Sequence, residues 1–411
     1  MYVTGEQSAL LALIKHTNDH TECEQIPENV DWELFTQLAV QQGVLIIAAD
    51  AALRRRINAP ESIIAMWRKK LFLKAAVDEK ILHAQDKVIE RFDEAGIRSA
   101  ILKGACSAFY YDRPERRAMG DIDILIPHEN LGEACRILEE MGYSQFENEH
   151  EFHVVYQKKD ISVEVHYAPS NAPDSEGGHA AKAFMSHFLD ETQDLTVLGH
   201  TFHTLTRTNH AFMLLIHNER HLLQSGIGLR QLCDWAALVS KMRADEFDNE
   251  LAPVFKACGL YRFALLLTKA CSVYLNAAPQ NWSDDHIIGD ELLECFMDNI
   301  FRSGNMGRAD NNGMRGMFSD RSNAGDGKKH SLAFRFLSKT AKIAKEKYPA
   351  AQKYPVLLPF LCAFLPVRYV VRMAFGLRPK KDIIGIISGA KKNDSLYSGL
   401  KLYDVQNTEK S

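Results

Sequence analysis

The sequence predicts an α+β protein in which a small mixed sheet of a few strands lies between N-terminal and C-terminal helical regions. Three observations carry this. Apolar residues recur at helical spacing from residue 7 to about 95, short β-branched runs punctuated by Gly and Pro begin near Gly96, and helical spacing returns after about 205. The implied division is a helical region over 1–95, an α/β core over 96–204, a helical domain over 205–302, a flexible loop over 303–330 and a helical segment over 331–411.

Each element has a local reason. Trp32, Leu34, Phe35, Leu38 and Ala39 define one helix, with Asp31 as its cap and Glu33 favourable in its first turn. Leu71 to Phe92 is a longer amphipathic pattern. Ser99 to Leu102 reads as a strand ending at Lys103-Gly104, and Ala105 to Tyr111 as a helix. A loop with Arg113-Pro114 and Arg116-Arg117 follows, then a strand over Ile122 to Ile126, stopped by Pro127. Leu131 to Met141 is a helix closed by Gly142. Phe152 to Gln157 and Ile161 to His166 form a hairpin turning at Lys158-Lys159-Asp160.

Helices return over Ala211 to Leu223, Leu229 to Met242 and Leu260 to Leu275. Residues 303–330, rich in Gly, Asn, Asp and Ser, read as a long loop. Tyr354 to Val367 is uncharged and interrupted by Pro355, Pro359 and Pro366. It is too short to span a bilayer, which calls for about 20 apolar residues. A buried, proline-broken helical piece is the expectation, and an interfacial anchor the alternative.

With 411 residues, 46% hydrophobic and 25% charged, the chain can bury a substantial core, and a net charge of −4 excludes a protein that coats nucleic acid by bulk charge. The eight cysteines include no C-x2-C pair, so reduced, mostly buried thiols are expected. No basic segment followed by an apolar core opens the chain, and a cytoplasmic protein with no integral membrane span is the expectation.

The chemistry concentrates at Asp121 and Asp123. They are two apart in the run Gly120-Asp121-Ile122-Asp123-Ile124-Leu125-Ile126, so on a strand they project from one side. Asp is depleted in strands, and two in an Ile-rich run need a reason. Glu164, in Val163-Glu164-Val165-His166, supplies a third carboxylate in the same alternating context. Three converging carboxylates are costly unless a cation neutralises them, which points to Mg²⁺ and phosphoryl chemistry.

Together, Leu102-Lys103-Gly104, Arg117-Ala118-Met119-Gly120-Asp121-Ile122-Asp123-Ile124-Leu125 and Val163-Glu164-Val165-His166-Tyr167 resemble the DNA polymerase β-like nucleotidyltransferase superfamily, and within it a poorly characterised bacterial branch. Gly228-Leu229-Arg230-Gln231-Leu232-Cys233-Asp234-Trp235 also looks like that branch. The resemblance implies a two-metal Mg²⁺ site with Asp121 and Asp123 as the paired acids and Glu164 as the third. It implies a nucleoside triphosphate, ATP among the candidates, as substrate. Lys103, Gly104 and Arg117 are then expected at its phosphates. The turn departs from the pattern: Ala105 stands where a hydroxyl or a second Gly is usual, and the third acid is Glu, one methylene longer than Asp.

Other polar residues have plainer readings. His166 shares a face with Glu164 and is a neighbour of the metal, an acceptor-side base or a satisfied polar residue; His153 has less to favour a role. His217 and His221 lie i, i+4 on one helix face without the H-E-x-x-H pattern, so helix packing toward the core is expected of them. Arg230 and Asp234, also i, i+4, are expected in an interhelical or intrahelical pair rather than at substrate. The functional expectation is transfer of a nucleoside monophosphate to an unknown acceptor, a small molecule before a protein or RNA. A nucleotide-binding module without turnover is the alternative.

Overall fold

A computed structural model of the chain describes residues 4–15, 25–147, 152–224, 226–277, 287–305, 337–374 (except 339, 342, 343, 346 and 347) and 395–405. Four helices come first: α1 (Gly5–Lys15), α2 (Trp32–Gln41), α3 (Leu45–Arg54) and α4 (Glu61–Glu94). The Asp31 carboxylate caps α2, accepting from the backbone N–H groups of Glu33 at 2.9 Å and Leu34 at 3.0 Å. Helix α4 starts ten residues before the amphipathic pattern suggests, directly after Pro60 and with Glu61 in its first turn.

The α/β part runs β1 (Ala100–Ile101), α5 (Ala105–Ala108), β2 (Ile122–Leu125), α6 (Leu131–Glu140), β3 (Ser144–Glu147), β4 (His153–Lys158), β5 (Ile161–His166), α7 (Glu176–Met185), β6 (Thr192–Val197) and β7 (His200–Leu205). It forms a seven-stranded sheet in the order β3-β4-β5-β2-β1-β7-β6. The β5·β2 and β1·β7 pairs are parallel and the others antiparallel, so the sheet is mixed and the fold α+β. The sheet is larger than expected because β6 and β7 are polar and alternate. Their hairpin is built through Leu198 and Gly199, both with positive φ, and presents Asp194 and His203 to the outside. An edge hairpin buries little, so its hydrophobic signal is faint.

The helical remainder comprises α8 (Arg207–Gln224), α9 (Leu229–Val239), α10 (Ala244–Glu246), α11 (Ala252–Ala257), α12 (Tyr261–Leu275), α13 (Asp290–Ser303), α14 (Pro349–Lys353) and α15 (Leu358–Ala374). No helix among the described residues is long and apolar enough to cross a membrane.

The two sheet faces belong to different cores. Ile101, Ile122, Ile124, Val163 and Val165 pack with Ile81, Leu82, Val88, Ile89 and Phe92 of α4 and with Ala134, Ile137 and Leu138 of α6. Ala100, Leu102 and Leu125 join the larger core built with α8, α9, α12 and the N-terminal helices. Strand alternation thus sends Ile122 and Ile124 one way and Asp123 the other.

Three expectations are corrected. Helix α5 ends at Ala108, short of Tyr111. The loop expected from 303 begins as packed structure: Ser303 and Asn305 are buried, and the Asn305 side-chain oxygen accepts from Gln231 Nε2 at 2.8 Å. The rest of that loop lies outside the described residues. The Tyr354–Val367 run is not buried either, since Val356, Phe360 and Val367 are 74%, 76% and 61% exposed. Its helix continues through Pro366, with Leu358, Leu361, Cys362 and Leu365 half-buried. The cysteines agree with reduced thiols. Those described are free, with Cys106, Cys233, Cys258 and Cys271 buried. Cys23 lies outside the described residues.

Candidate functional site

The parallel register of β2 and β5 sets Asp123 beside Glu164 and Leu125 beside His166, and the antiparallel register of β4 and β5 sets His153 beside His166. Asp123, Glu164, His166 and His153 therefore share the face turned toward the larger helical core. The buried Ile and Val residues between them along each strand fix this choice. A one-residue slip would bury the acids against α4 and α6.

The side chains converge. His166 Nε2 lies 3.2 Å from Asp123 Oδ1 and 3.4 Å from Glu164 Oε2. His153 Nε2 lies 3.9 Å from the same Glu164 oxygen. Lys103, just beyond β1, places Nζ 2.7 Å from Asp123 Oδ1. Asp121 is solvent-facing at the start of β2.

The electrostatics follow from this crowding. Burial alone would raise the Asp123 carboxyl, but the Lys103 ammonium and the His166 hydrogen bond outweigh it and hold the group well below the usual carboxylate range. Asp121 moves the other way. Partial desolvation raises it, and repulsion from Asp123 and Glu164 adds to the shift. Negative charge is therefore in excess at the mouth of the site. Carboxylate oxygens in such surroundings suit a hard divalent cation.

The Gly104 turn lies against the acidic strand. Gly104 has φ +69°, a left-handed conformation that favours glycine, and the Leu102 N–H donates to the Asp123 carbonyl at 2.9 Å. Behind the turn, Cys106 Sγ is 3.1 Å from His210 Nε2. Burial pushes the thiol up to about 12 and the imidazole down to about 3, so both are neutral and the pair is packing rather than a nucleophile with its base.

The loop leading into the acids is held from both sides, by residues the motif alone does not reveal. From α4, the buried Asp78 carboxylate accepts the Met119 N–H at 2.9 Å, and Lys74 donates to Asp78 and, at 2.8 Å, to the Met119 carbonyl. From α9, Arg230 Nη2 donates to the Ala118 carbonyl at 2.9 Å. Arg117, expected at phosphates, lies instead in a two-pronged pair with Asp234. Its Nε to Oδ1 distance is 3.1 Å and its Nη2 to Oδ2 distance 2.7 Å. The Tyr111 hydroxyl also donates to Asp234 Oδ1 at 2.8 Å. Arg117 thus holds Asp234 below its usual pKa despite burial. Asp234 is thus paired across elements with Arg117, and the nearby Arg230 charge also favours its ionised form. Sequence supplies one clue to it, the i, i+4 face of α9, but not the partner.

Helix α8 borders the same face. The His217 and His221 rings meet edge-on at 4.3 Å between centroids. Burial first, and the nearby Lys103 charge second, keep His217 well below its ordinary pKa and His221 at about 3. Arg220 stacks over the Phe152 ring at 4.5 Å, and Phe152 in turn touches the His153 and His166 rings. The packing expected of this helix is present, and it is directed at the acidic face.

A search of curated proteins finds no match to this chain. Residues 28–276, more than half of the chain, match a family model described as an uncharacterised nucleotidyltransferase. The match runs from just before α2 to the end of α12, and so covers the acids, the Gly104 turn and the α9 clamp together. The chain belongs to this nucleotidyltransferase family.

Proposed function

We propose that the protein transfers a nucleoside monophosphate from a nucleoside triphosphate to an acceptor hydroxyl and releases pyrophosphate. What supports this reading is that Asp123 and Glu164 are neighbours in the β2·β5 register, that Asp121 just before β2 feels the charge of both, and that Lys103, next to Gly104, pairs with Asp123. These carboxylates would hold Mg²⁺, in a two-metal arrangement. The ions when bound neutralise the triphosphate and stabilise the attacking and leaving oxygens.

The chain's own groups have separate tasks. Glu164 accepts the proton of the acceptor hydroxyl, directly or through a water, as the new O–P bond forms and the bond to pyrophosphate breaks. Lys103 has Asp123 as its partner in the protein alone; with nucleotide, its charge and the Gly104 backbone meet the phosphates. Arg117 acts through Asp234, fixing the loop that aims Asp121, and is a positioning residue. The α8 face carrying His217 and His221 borders the acceptor side, and the acceptor proposed is a small molecule. In this reading 96–204 is the catalytic core and 205–302 covers it. The protein works in the cytoplasm and sits in the bacterial branch of the polymerase β-like superfamily.

The test is incubation with labelled triphosphates, Mg²⁺ and cell extract, comparing wild type with Asp121→Ala/Asp123→Ala. Label transfer by wild type only is expected, and equal transfer by both sinks the mechanism. Intact-mass shifts on macromolecules would move the acceptor to protein or RNA. One observation favours the second reading, a binding module without turnover: Ala105 brings no hydroxyl to the turn, while Lys103 already neutralises Asp123. Mg²⁺-dependent nucleotide binding without pyrophosphate release would favour that reading.

A further inference from the structure

Beside the oxygen-rich corner, the same sheet face holds a second donor set. His153 Nε2, His166 Nε2 and a Glu164 oxygen lie within 4.8 Å of one another. Glu164 is 3.9 Å from the first imidazole and 3.4 Å from the second. A cation roughly 2.0–2.2 Å from each of three tetrahedrally arranged ligands separates those ligands by roughly 3.3–3.6 Å. The trio is therefore near metal-binding spacing and needs only side-chain adjustment. Asp123 Oδ1, 3.2 Å from His166 Nε2, is held by Lys103 at 2.7 Å and stands outside this donor set.

Four features make this more than an incidental cluster. The two histidines are directly opposite each other in the β4·β5 register, and Glu164 is two residues before His166, so the trio stands on rigid strands rather than on a loop. His166 is 2% exposed, and its Nδ1 has no hydrogen-bond partner among the described residues, so Nε2 is the atom through which the ring engages the cluster. Two carboxylate oxygens also crowd that one nitrogen, which can offer a single proton between them. A divalent cation among the three relieves a conflict that one proton cannot. The Phe152 ring, beneath Arg220, gives the site a dry wall.

We propose that His153, His166 and Glu164 form a site for a first-row transition cation of the Zn²⁺ or Co²⁺ type, distinct in preference from the Mg²⁺ expected at Asp121 and Asp123. Imidazole nitrogens suit borderline cations, whereas Mg²⁺ is held by oxygens and keeps its waters. Glu164 is shared by the two donor sets, so occupancy of the imidazole site fixes the third carboxylate of the oxygen site. The inference does not require nucleotide transfer.

The experiment uses the full chain, stripped with chelator and dialysed against Co²⁺ in the presence of a large excess of Mg²⁺. One equivalent of Co²⁺ retained, with the visible absorption of a nitrogen-ligated ion, is expected in wild type and in Asp121→Asn. At least a tenfold weaker retention is expected in His153→Ala and His166→Ala, on the scale of losing a ligand. Retention unchanged in both histidine variants, or displacement of Co²⁺ by Mg²⁺ in wild type, overturns the site. Pulsed EPR of wild type loaded with Cu²⁺ reads nitrogen coupling directly and needs no variant to fold; its absence also overturns the site. The readouts separate the two readings. Metal retained by a wild type that transfers no label supports this site and counts against transfer alone. Transfer without histidine-dependent metal does the reverse.

Discussion

The two faces of strands β2 and β5 carry opposite chemistry. On one face Ile122, Ile124, Val163 and Val165 are at most 2% exposed and pack against α4 and α6. On the other, one residue along in each case, stand Asp123, Glu164 and His166 with Lys103 and His153 around them. The backbone is the same, and only the parity of the residue differs. The apolar face is what makes the polar face affordable: it holds the strands in register, so that charged groups which gain nothing from burial still sit at fixed positions. The candidate site residues thus stand on strands packed from behind against α4 and α6.

Predictions can break this division of labour. The largest effect is expected on the polar face. Asp121→Asn/Asp123→Asn should lower label transfer about a thousandfold, the upper end for loss of preorganised electrostatic groups, while circular dichroism stays native. A variant that unfolds would mean that the polar face also carries the fold.

Next comes the clamp between them. Asp234→Ala leaves Arg117 buried without its main partner and should cost about 3–5 kcal/mol in denaturant unfolding, the scale for breaking a buried ion pair. Arg117→Met/Asp234→Leu should cost less than the single change. If it costs more, the pair is a net source of stability rather than a specificity device.

On the apolar face, Ile124→Ala should cost about 2–4 kcal/mol by leaving a cavity, with metal affinity per folded molecule unchanged. Coupled loss of metal affinity would show that the faces are not separable.

A smaller effect should appear with pH. Asp123 is held below its unfolded value, so its contribution to stability is present above about pH 4, where the unfolded carboxyl ionises, and is lost as pH falls through the folded value. Acid unfolding should therefore be less steep in Asp123→Asn than in wild type below about pH 4. Asp121 has the opposite sign. Its raised value makes its ionisation oppose folding as pH climbs through that value, so Asp121→Asn should gain relative stability above it. The smallest effect is remote from both faces: Asp31→Ala should remove the α2 cap for about 1 kcal/mol and leave transfer unchanged.

Much of this was legible in the residues. The hairpin turn at Lys158 to Asp160, the α6 stop at Gly142 and the Asp31 cap each follow from local chemistry and appear where expected. Alternation in the Ile-rich run placed Asp123 opposite its apolar neighbours, and the same logic placed Glu164 and His166 together. Less legible were β6 and β7, whose outer residues are polar because an edge hairpin has one wet face. The partly exposed Tyr354–Val367 stretch misleads for the converse reason: apolar residues make up much of any protein surface, so apolar composition alone does not signal burial.

The sequence by itself determined the periodicities, and with them which side chains share a face of each strand and helix. Its motifs also pointed to nucleotidyl transfer, the family that the match over residues 28–276 shows. Only the tertiary structure decided the partners. It took Arg117 from phosphate to Asp234, gave Lys103 to Asp123, brought Asp78 to the Met119 turn and set His153 opposite His166. The physical reason is range. Local pattern fixes direction because it depends on bonds within a few residues, whereas charge pairing depends on distance in space, and pairs 117 residues apart, as Arg117 and Asp234 are, meet only once the sheet and the helices have packed.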